Sequence, residues 1–239
     1  MIPLAAPPPE TPPSPAFTQA GRWLRRALVA LLALLLAAFL FDTLFPPVST
    51  LMLGRWLTGQ KVERVALRLD QVSPALVAAV VSSEDGRFCR HWGVDWGALS
   101  GAIQDARDGE RARGASTLTM QLVKNLFLSP RRLFFRKALE IPLALVLDLL
   151  WSKQRILTAY FNVAEWGDGI FGAEAAARAY FHKSAAALTP REAALLAAAL
   201  PNPIKRDPRR PSYGHARLAE RILARMARRA ALVDCVRLR

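Results

Sequence analysis

The sequence is poor in cysteine and histidine. Its 239 residues include two cysteines, Cys89 and Cys235, and three scattered histidines. No cysteine–histidine cluster has the spacing of zinc ligands, so nothing here indicates a structural zinc site. The two cysteines could pair in an oxidising compartment, but nothing in the sequence fixes their separation in space. We therefore expect two unpaired thiols.

Acidic residues are also too few to balance the basic ones. The chain has 19 aspartate and glutamate residues against 33 lysine and arginine residues, which gives a formal net charge of +14. Such a surplus favours an anionic partner: nucleic acid, lipid head groups or a phosphorylated substrate. Charge alone does not choose among these three classes.

Internal repeats and alternating apolar–polar stretches of useful length are missing as well, so the pattern predicts a mainly α-helical chain. A hydrophobic fraction of 52% is above the norm for globular domains and indicates a membrane element.

The best candidate for that element is 27–45, an almost wholly apolar stretch close to the ~20 residues that cross the hydrocarbon core. Arg22, Arg25 and Arg26 precede it, so the positive-inside rule places the N-terminus in the cytoplasm. The alternative is a cleaved signal peptide, which needs small residues before the cut. The residues at the C-terminal end of this stretch, 39–45, are mostly bulky instead, so we expect an uncleaved single-pass anchor.

The rest of the chain divides by composition. We expect five segments: a Pro-rich, basic cytoplasmic tail, the transmembrane helix, a linker, a catalytic domain and a basic C-terminal helix, over 1–26, 27–45, 46–71, 72–212 and 213–239.

A candidate general base ends the first helix of the catalytic domain. Ser73 and Pro74 form an N-cap and first-position pair, which predicts that a helix begins there. Glu84 follows Val77 at i+7 and so falls on or near its apolar face. Burial and the negative end of the helix dipole should both raise the pKa of Glu84, which suits a base near neutral pH.

Glu84 and Asp85 open the pattern E-D-x-x-F-x-x-H-x-G, which Phe88, His91 and a glycine complete. This pattern resembles the first signature of the peptidoglycan glycosyltransferases, glycosyltransferase family 51, which polymerise the cell-wall precursor lipid II. The resemblance spans roughly 72–212 and is strongest to the monofunctional type. It implies a lysozyme-like helical fold and catalysis by Glu84. It also implies that Asp85, Phe88 and His91 contact the substrate.

A second signature lies in the helix that should follow Gly114. The stretch resembles the family pattern G-x-S-T-x-T-x-Q-L-x-K-N, with Met120 in place of a first glutamine. We expect Ser116 to cap this helix and polar side chains to share one face. A solvated face would look much the same, but the resemblance implies substrate binding by Ser116, Thr117, Gln121, Lys124 and Asn125.

The third signature is R-K-x-x-E, at Arg136, Lys137 and Glu140. These side chains can meet on one helix because their spacings are i, i+3 and i, i+4. The cations favour ionised Glu140, the opposite tuning to Glu84, as in an acid/base pair. The alternative is a surface ion-pair rung of little energetic value. Pro142 predicts a kink or break just beyond.

Later signatures are weaker. Arg155 stands where the fourth signature has glutamate, so we transfer no acidic role to it, and Tyr160 is expected on the core side of that helix. The alanine-dense stretch after Gly172 resembles the fifth signature and is expected to be structural. The basic, aromatic stretch 131–137 is expected to contact anionic head groups.

The resemblance implies a processive enzyme of the bacterial inner membrane with its catalytic domain on the periplasmic side. Its partners would be lipid II, a growing lipid-linked glycan, the membrane, and cell-division or elongation proteins, without nucleic acid. Lys124, Arg136 and Lys137 would hold the departing pyrophosphate. Glu140 would either orient these cations or hold a divalent cation, Mg²⁺ or Mn²⁺.

Two alternatives remain open. One is a lysozyme-like hydrolase or lytic transglycosylase, and another is a membrane-tethered nucleic-acid binder. A bifunctional relative with a transpeptidase domain is not expected, because the chain ends too soon and contains no S-x-x-K motif.

Overall fold

The computed structural model describes residues 45–110, 114–128, 136–228 and 233–236, together with 19, 21–27, 29–30, 33 and 37. The chain divides into two compact units, Met1–Phe45 and Pro46–Arg239. Most of the expected anchor and of the basic stretch 131–137 falls outside the described residues. Within the described part, no helix combines the length and apolarity that a membrane crossing requires.

The unit Pro46–Arg239 is mainly helical, as the sequence predicts. In the described residues of this unit the α-helices are, in chain order from α1 to α9, Thr50–Leu57, Pro74–Glu84, Trp96–Arg107, Leu118–Phe127, Arg136–Leu150, Lys153–Val163, Ala173–Phe181, Pro190–Ala199 and Tyr213–Arg228. Short 3-10 turns lie at Leu69–Gln71, Phe88–Arg90 and Ala185–Ala187.

A small sheet accompanies the helices. Its strands are β1 (Glu63–Arg64), β2 (Glu165–Gly167) and β3 (Ile170–Phe171), in the order β1-β3-β2, with β1 parallel and β2 antiparallel to β3. The sequence missed this sheet because strands of two or three residues carry no readable alternation. Gly169 permits the hairpin turn: its φ is +72°, and a Cβ there would meet the carbonyl oxygen of Lys61 at 2.6 Å.

Most predicted helix starts are confirmed by side-chain caps. Ser73 Oγ accepts from the Leu76 N–H at 3.1 Å, Ser152 caps α6, and Thr189 forms a capping box with Glu192. The cap expected at Ser116 is wrong, since Thr117 caps α4 instead.

Helix α5 passes through Pro142 without ending, so the expected break does not occur. Proline removes one backbone hydrogen bond, but α5 keeps a buried stripe that includes Glu140, Ala144 and Leu147 and packs against α4. Packing along that stripe holds the helix together across the missing bond.

The segment 46–71 is folded against the helical unit. Thr50 Oγ1 donates to the carbonyl of Leu128 at 2.7 Å. Asn162 brackets Leu67, accepting from its N–H and donating to its carbonyl, both at 2.9 Å. The stretch expected to be a linker therefore carries α1 and β1 within the same unit as the catalytic helices.

Two packing layers position the site. Helix α2 is buried against α8 and α9, while α4 packs against α5 and α6. The basic helix α9 turns Ala219 and Ile222 inward and keeps arginines such as Arg217 and Arg221 at the surface. The two layers meet where Glu84, the last residue of α2, accepts a hydrogen bond from Gln121 on α4.

Contrary to the expectation of free thiols, Cys89 and Cys235 form a disulfide, with their Cα atoms 5.5 Å apart. The C-terminal stretch 233–236 returns to the turn Phe88–Arg90, and this proximity arises only in the folded chain. The bond ties the end of the chain to the loop that follows Glu84.

Removing this disulfide should destabilise the protein strongly. The bond spans 146 residues of sequence, and the chain-entropy relation gives about 5 kcal/mol for a loop of that length. We expect the Cys89→Ser, Cys235→Ser double variant to unfold at markedly lower denaturant concentration. Reduced wild-type protein should match it, and equal midpoints for oxidised protein and variant would contradict the prediction.

Candidate active site

Glu84 lies at the C-terminal end of α2 and is held by α4. Gln121 Nε2 donates to Glu84 Oε2 at 2.9 Å. Burial raises the pKa of Glu84, and this effect outweighs the Gln121 hydrogen bond and the Lys124 charge, which both lower it. The predicted upward shift is therefore confirmed, with burial as its main cause.

Two cations pair with a second carboxylate, that of Glu140. Glu140 is 4% exposed and pairs with Arg136 Nε at 3.2 Å and Lys137 Nζ at 2.8 Å. Lys137 Nζ also donates to Ser116 Oγ at 2.8 Å. Glu140 is therefore a buried carboxylate that holds two cations in place, and not a member of an exposed surface ion pair.

Lys124 connects this group to the candidate base. Burial lowers the pKa of Lys124. The Lys124 ammonium group interacts electrostatically with the carboxylates of Glu84 and Glu140 and with the cations Arg136 and Lys137. We call Lys124, Arg136 and Lys137 the cation cluster. The structure thus brings the predicted base and the predicted cations into one neighbourhood.

Two cavities open beside these groups. The larger, about 340 Å³, is lined by Gln121, Lys124, Asn125, Arg136 and Tyr160 among others. The smaller, about 200 Å³, is lined by Glu84, Asp85, Arg87, Ser116 and Thr117 among others. Glu84 lines the smaller cavity and its hydrogen-bond partner Gln121 lines the larger one, so this hydrogen bond connects the linings of the two cavities.

Asp85 and His91, expected to contact substrate, bind each other, and Asp85 also lines the smaller cavity beside Glu84. His91 Nε2 and Asp85 Oδ1 are 2.9 Å apart, and Asp85 Oδ2 accepts from the Leu118 N–H at 2.9 Å. A carboxylate at the first N–H of α4 satisfies an orphan donor and complements the helix dipole. These contacts give the pair a positioning role in which they orient α4.

Phe88 and Thr117 are likewise taken up by the protein interior. Phe88 is fully buried, with Lys153 Nζ 4.6 Å from its ring centroid. Thr117 is 2% exposed, and its hydroxyl donates to the carbonyl of Gly93 at 2.6 Å while capping α4. Phe88 therefore offers no exposed surface for the expected substrate contact, because a signature's spacing does not reveal which of its members are buried. Thr117 still lines the smaller cavity, so its expected substrate contact stays a prediction.

Gly93 completes the first signature for a steric reason. Its φ is +77°, and a Cβ there would lie 2.3 Å from the carbonyl oxygen of Ala144. The loop after Glu84 can therefore approach α5 only with glycine at this position.

The positioning role of Asp85 predicts a loss of stability rather than of substrate affinity alone. Asp85→Ala would leave the Leu118 N–H and His91 without their buried acceptor, at roughly 1–3 kcal/mol for each unsatisfied group. We expect the free energy of unfolding to fall by about 3 kcal/mol, measured by denaturant titration. Asp85→Asn keeps one acceptor oxygen and should lose less. An unchanged unfolding midpoint for Asp85→Ala would contradict the assignment.

Both departures from the family pattern are accommodated. Met120 is fully buried and fills the core beneath α4, where an apolar side chain packs well. The Arg155 guanidinium lies over the Trp151 ring, 5.0 Å from its centroid.

The residues around Glu140 do not fit a protein-held metal. Both of its carboxylate oxygens already pair with cations of the cluster, and the described residues contain no group of three His, Cys, Asp or Glu side chains suited to a metal ion. The expected divalent cation stays a prediction, and no step below passes through it.

Sequence reasoning missed two supports of the site. Tyr160, expected only as a core residue, donates its hydroxyl to Gln121 Oε1 at 3.0 Å. Lys153 Nζ donates to the carbonyl of His91 at 2.8 Å and pairs with buried Asp148 at 2.7 Å. A polar tip on an otherwise apolar helix face was the only available signal for either contact.

A partly buried carboxylate with a raised pKa, near a lysine and an arginine that line a cavity, is an arrangement suited to transfer from a donor with an anionic leaving group. Comparison with known proteins also indicates an enzyme of glycosyl transfer. The family model described as Transglycosylase matches residues 51–227, and the chain belongs to this family.

Similar curated proteins carry the name "Biosynthetic peptidoglycan transglycosylase". The chain is 46% identical over 232 residues to that of Rhizobium meliloti (strain 1021), covering 91% of this chain and 98% of the relative. It is 50% identical over 221 residues to that of Rhodopseudomonas palustris (strain HaA2), covering 90% and 97%. Its identity to that of Brucella suis biovar 1 (strain 1330) is 51% over 191 residues, covering 80% and 85%. The chain is a peptidoglycan glycosyltransferase.

Proposed function

We propose that this enzyme polymerises lipid II into linear glycan strands by a one-step inverting transfer in which Glu84 is the general base. The observation that carries the proposal is the partly buried Glu84 carboxylate near Lys124: Glu84 lines the smaller cavity, and its hydrogen-bond partner Gln121 lines the larger one. Glycosyl transfer needs a base on one side of the anomeric carbon and positive charge on the other.

In the proposed reaction the acceptor sugar's 4-hydroxyl gives its proton to Glu84. The hydroxyl oxygen forms a bond to the anomeric carbon of the donor while the bond from that carbon to the pyrophosphate oxygen breaks. Attack and departure occur on opposite faces, so the anomeric configuration inverts. Undecaprenyl diphosphate leaves with the bonding electron pair.

The cation cluster stabilises the charge that develops on the departing pyrophosphate. Lys124 and Arg136 line the larger cavity, where a diphosphate could accept from both. Ser116, Gln121 and Asn125 supply neutral donors along the same walls. Glu140 orients Arg136 and Lys137 through its two ion pairs, so its role is to position cations.

The proposed setting is the bacterial inner membrane, with a single-pass anchor over 27–45 and a lysozyme-like catalytic domain on the periplasmic side. Two features support it. The disulfide is of a kind that persists in oxidising compartments. Helix α5 exposes apolar side chains such as Leu149 (77%) and Leu150 (53%), which suit contact with a bilayer. Lipid II, the growing glycan and cell-division or elongation proteins are the proposed partners.

The experiment that tests this proposal offers purified protein two substrates, lipid II and finished peptidoglycan. Growth of glycan strands from lipid II supports the proposal, whereas soluble fragments released from finished peptidoglycan would favour a hydrolase or lytic transglycosylase. A parallel reaction with a chelator tests the divalent-cation prediction.

A further inference from the structure

A chain of two hydrogen bonds links three helices to the carboxylate of Glu84. Tyr160 on α6 donates to Gln121 Oε1 at 3.0 Å, and Gln121 on α4 donates through Nε2 to Glu84 Oε2 at 2.9 Å. Each link therefore uses one end of the same amide. The direction of donation runs from the tyrosine towards the carboxylate.

The amide of Gln121 can point in two directions, and only one of them helps Glu84. A glutamine side chain has an accepting oxygen at one corner and a donating NH₂ at the other. If the amide turned around, its oxygen would face the carboxylate, and two acceptors would repel each other. The side chain on the far side of the amide therefore decides how well the useful orientation is held.

Tyr160 is suited to that task because it can act as a donor throughout the pH range of the enzyme. It is 2% exposed, so its side chain is held almost wholly within the protein at the edge of the larger cavity. Burial holds the pKa of Tyr160 well above its ordinary value. A hydroxyl that keeps its proton in this position satisfies the Gln121 oxygen and leaves the NH₂ for Glu84.

We propose that Tyr160 is a positioning residue for the reaction: by fixing the orientation of the Gln121 amide, it keeps a donor on Glu84 and so keeps the base ionised. This inference rests on the proposed role of Glu84 as the general base. It assigns a polar function to a side chain that the helical pattern places in the core.

The consequence is a pH effect with a definite sign. The Gln121 hydrogen bond lowers the pKa of Glu84 against the larger effect of burial. Weakening that bond should raise the pKa of Glu84 further. A base with a higher pKa is protonated, and hence inactive, over more of the acidic range, so the acid limb of kcat/KM should move to higher pH.

Tyr160→Phe removes only the hydroxyl. We expect the acid limb of kcat/KM for lipid II polymerisation, and the Glu84 pKa followed by carboxyl ¹³C NMR, to move upward together by about 0.5 to 1 unit. The matched control is Tyr180→Phe, which deletes a hydroxyl that donates to the carbonyl of Trp166 at 3.1 Å. That control should change neither the pKa of the acid limb of kcat/KM nor the Glu84 pKa followed by NMR.

A second pair of variants tests whether Tyr160 acts through the amide. In a Gln121→Leu background, Tyr160→Phe should shift the Glu84 pKa no further than about 0.2 units, since the intermediary is gone. A full shift in that background would overturn the proposed route. If the turnover of Tyr160→Phe is too low for kinetics, the NMR titration of Glu84 in that single variant still tests the inference, because it needs no turnover.

The two readouts separate failure of this inference from failure of the proposed function. If the Glu84 pKa and the acid limb both stay at their wild-type values in Tyr160→Phe, or if Tyr180→Phe moves them equally, Tyr160 has no positioning role. If the Glu84 pKa rises while the acid limb stays, Tyr160 positions Glu84 as inferred but Glu84 is not the kinetic base, and the proposed function fails.

Discussion

Glu84→Gln is expected to lower the rate of lipid II polymerisation by about 10²–10⁴-fold, the usual loss when a general base is removed. Glutamine has nearly the same shape, so the cavity walls should stay in place while the proton acceptor disappears. The measurement is the initial rate of glycan formation at saturating lipid II. Activity within about threefold of wild type would show that another group takes the proton.

The same variant should not lose stability, which separates a chemical role from a structural one. Because the folded-state pKa of Glu84 is raised, ionising it weakens the folded state as pH rises from the unfolded towards the folded pKa, and that deficit remains at neutral pH. Glu84→Gln removes this penalty, so the variant should be at least as stable as wild type at pH 7. Below about pH 4 the two proteins should converge.

Lys124→Met is expected to lower kcat by about 10²–10³-fold, as found when one preorganised group that stabilises transition-state charge is removed. Lys124 is partly desolvated between Glu84 and Glu140, so its charge acts where water screens it poorly. Methionine keeps most of the side-chain volume and removes the ammonium group.

The matched control for Lys124→Met is Lys205→Met, at an exposed position in the turn after α8. It removes one positive charge without touching the cavity lining, and its rate should stay within about twofold of wild type, as for other surface substitutions. Equal losses in both variants would mean that net charge matters rather than the cation cluster.

Local signals in the sequence predict much of this fold because their physics is local. Ser73 with Pro74, Ser152 and Thr189 each satisfy orphan N–H groups within one helical turn, and the structure has caps at all of them. Thr117 rather than Ser116 caps α4 because neighbouring hydroxyls offer the same chemistry and only the fold decides which one is turned inward.

Features that depend on tertiary proximity could not be read in the same way. The disulfide joins Cys89 to Cys235 across most of the domain, and the strands are too short to show alternation. The signature spacing placed Glu84 correctly near Lys124, but it could not separate side chains that line the cavities from Phe88, which is fully buried.

The most direct test of the central claim compares two pH titrations of the wild-type enzyme. One follows the Glu84 carboxyl by ¹³C NMR, and the other follows the acid limb of kcat/KM for lipid II. We predict a single shared pKa above the ordinary glutamate value of 4.5. A Glu84 pKa at or below that value, or an acid limb that follows a different group, would contradict the assignment of Glu84 as the base.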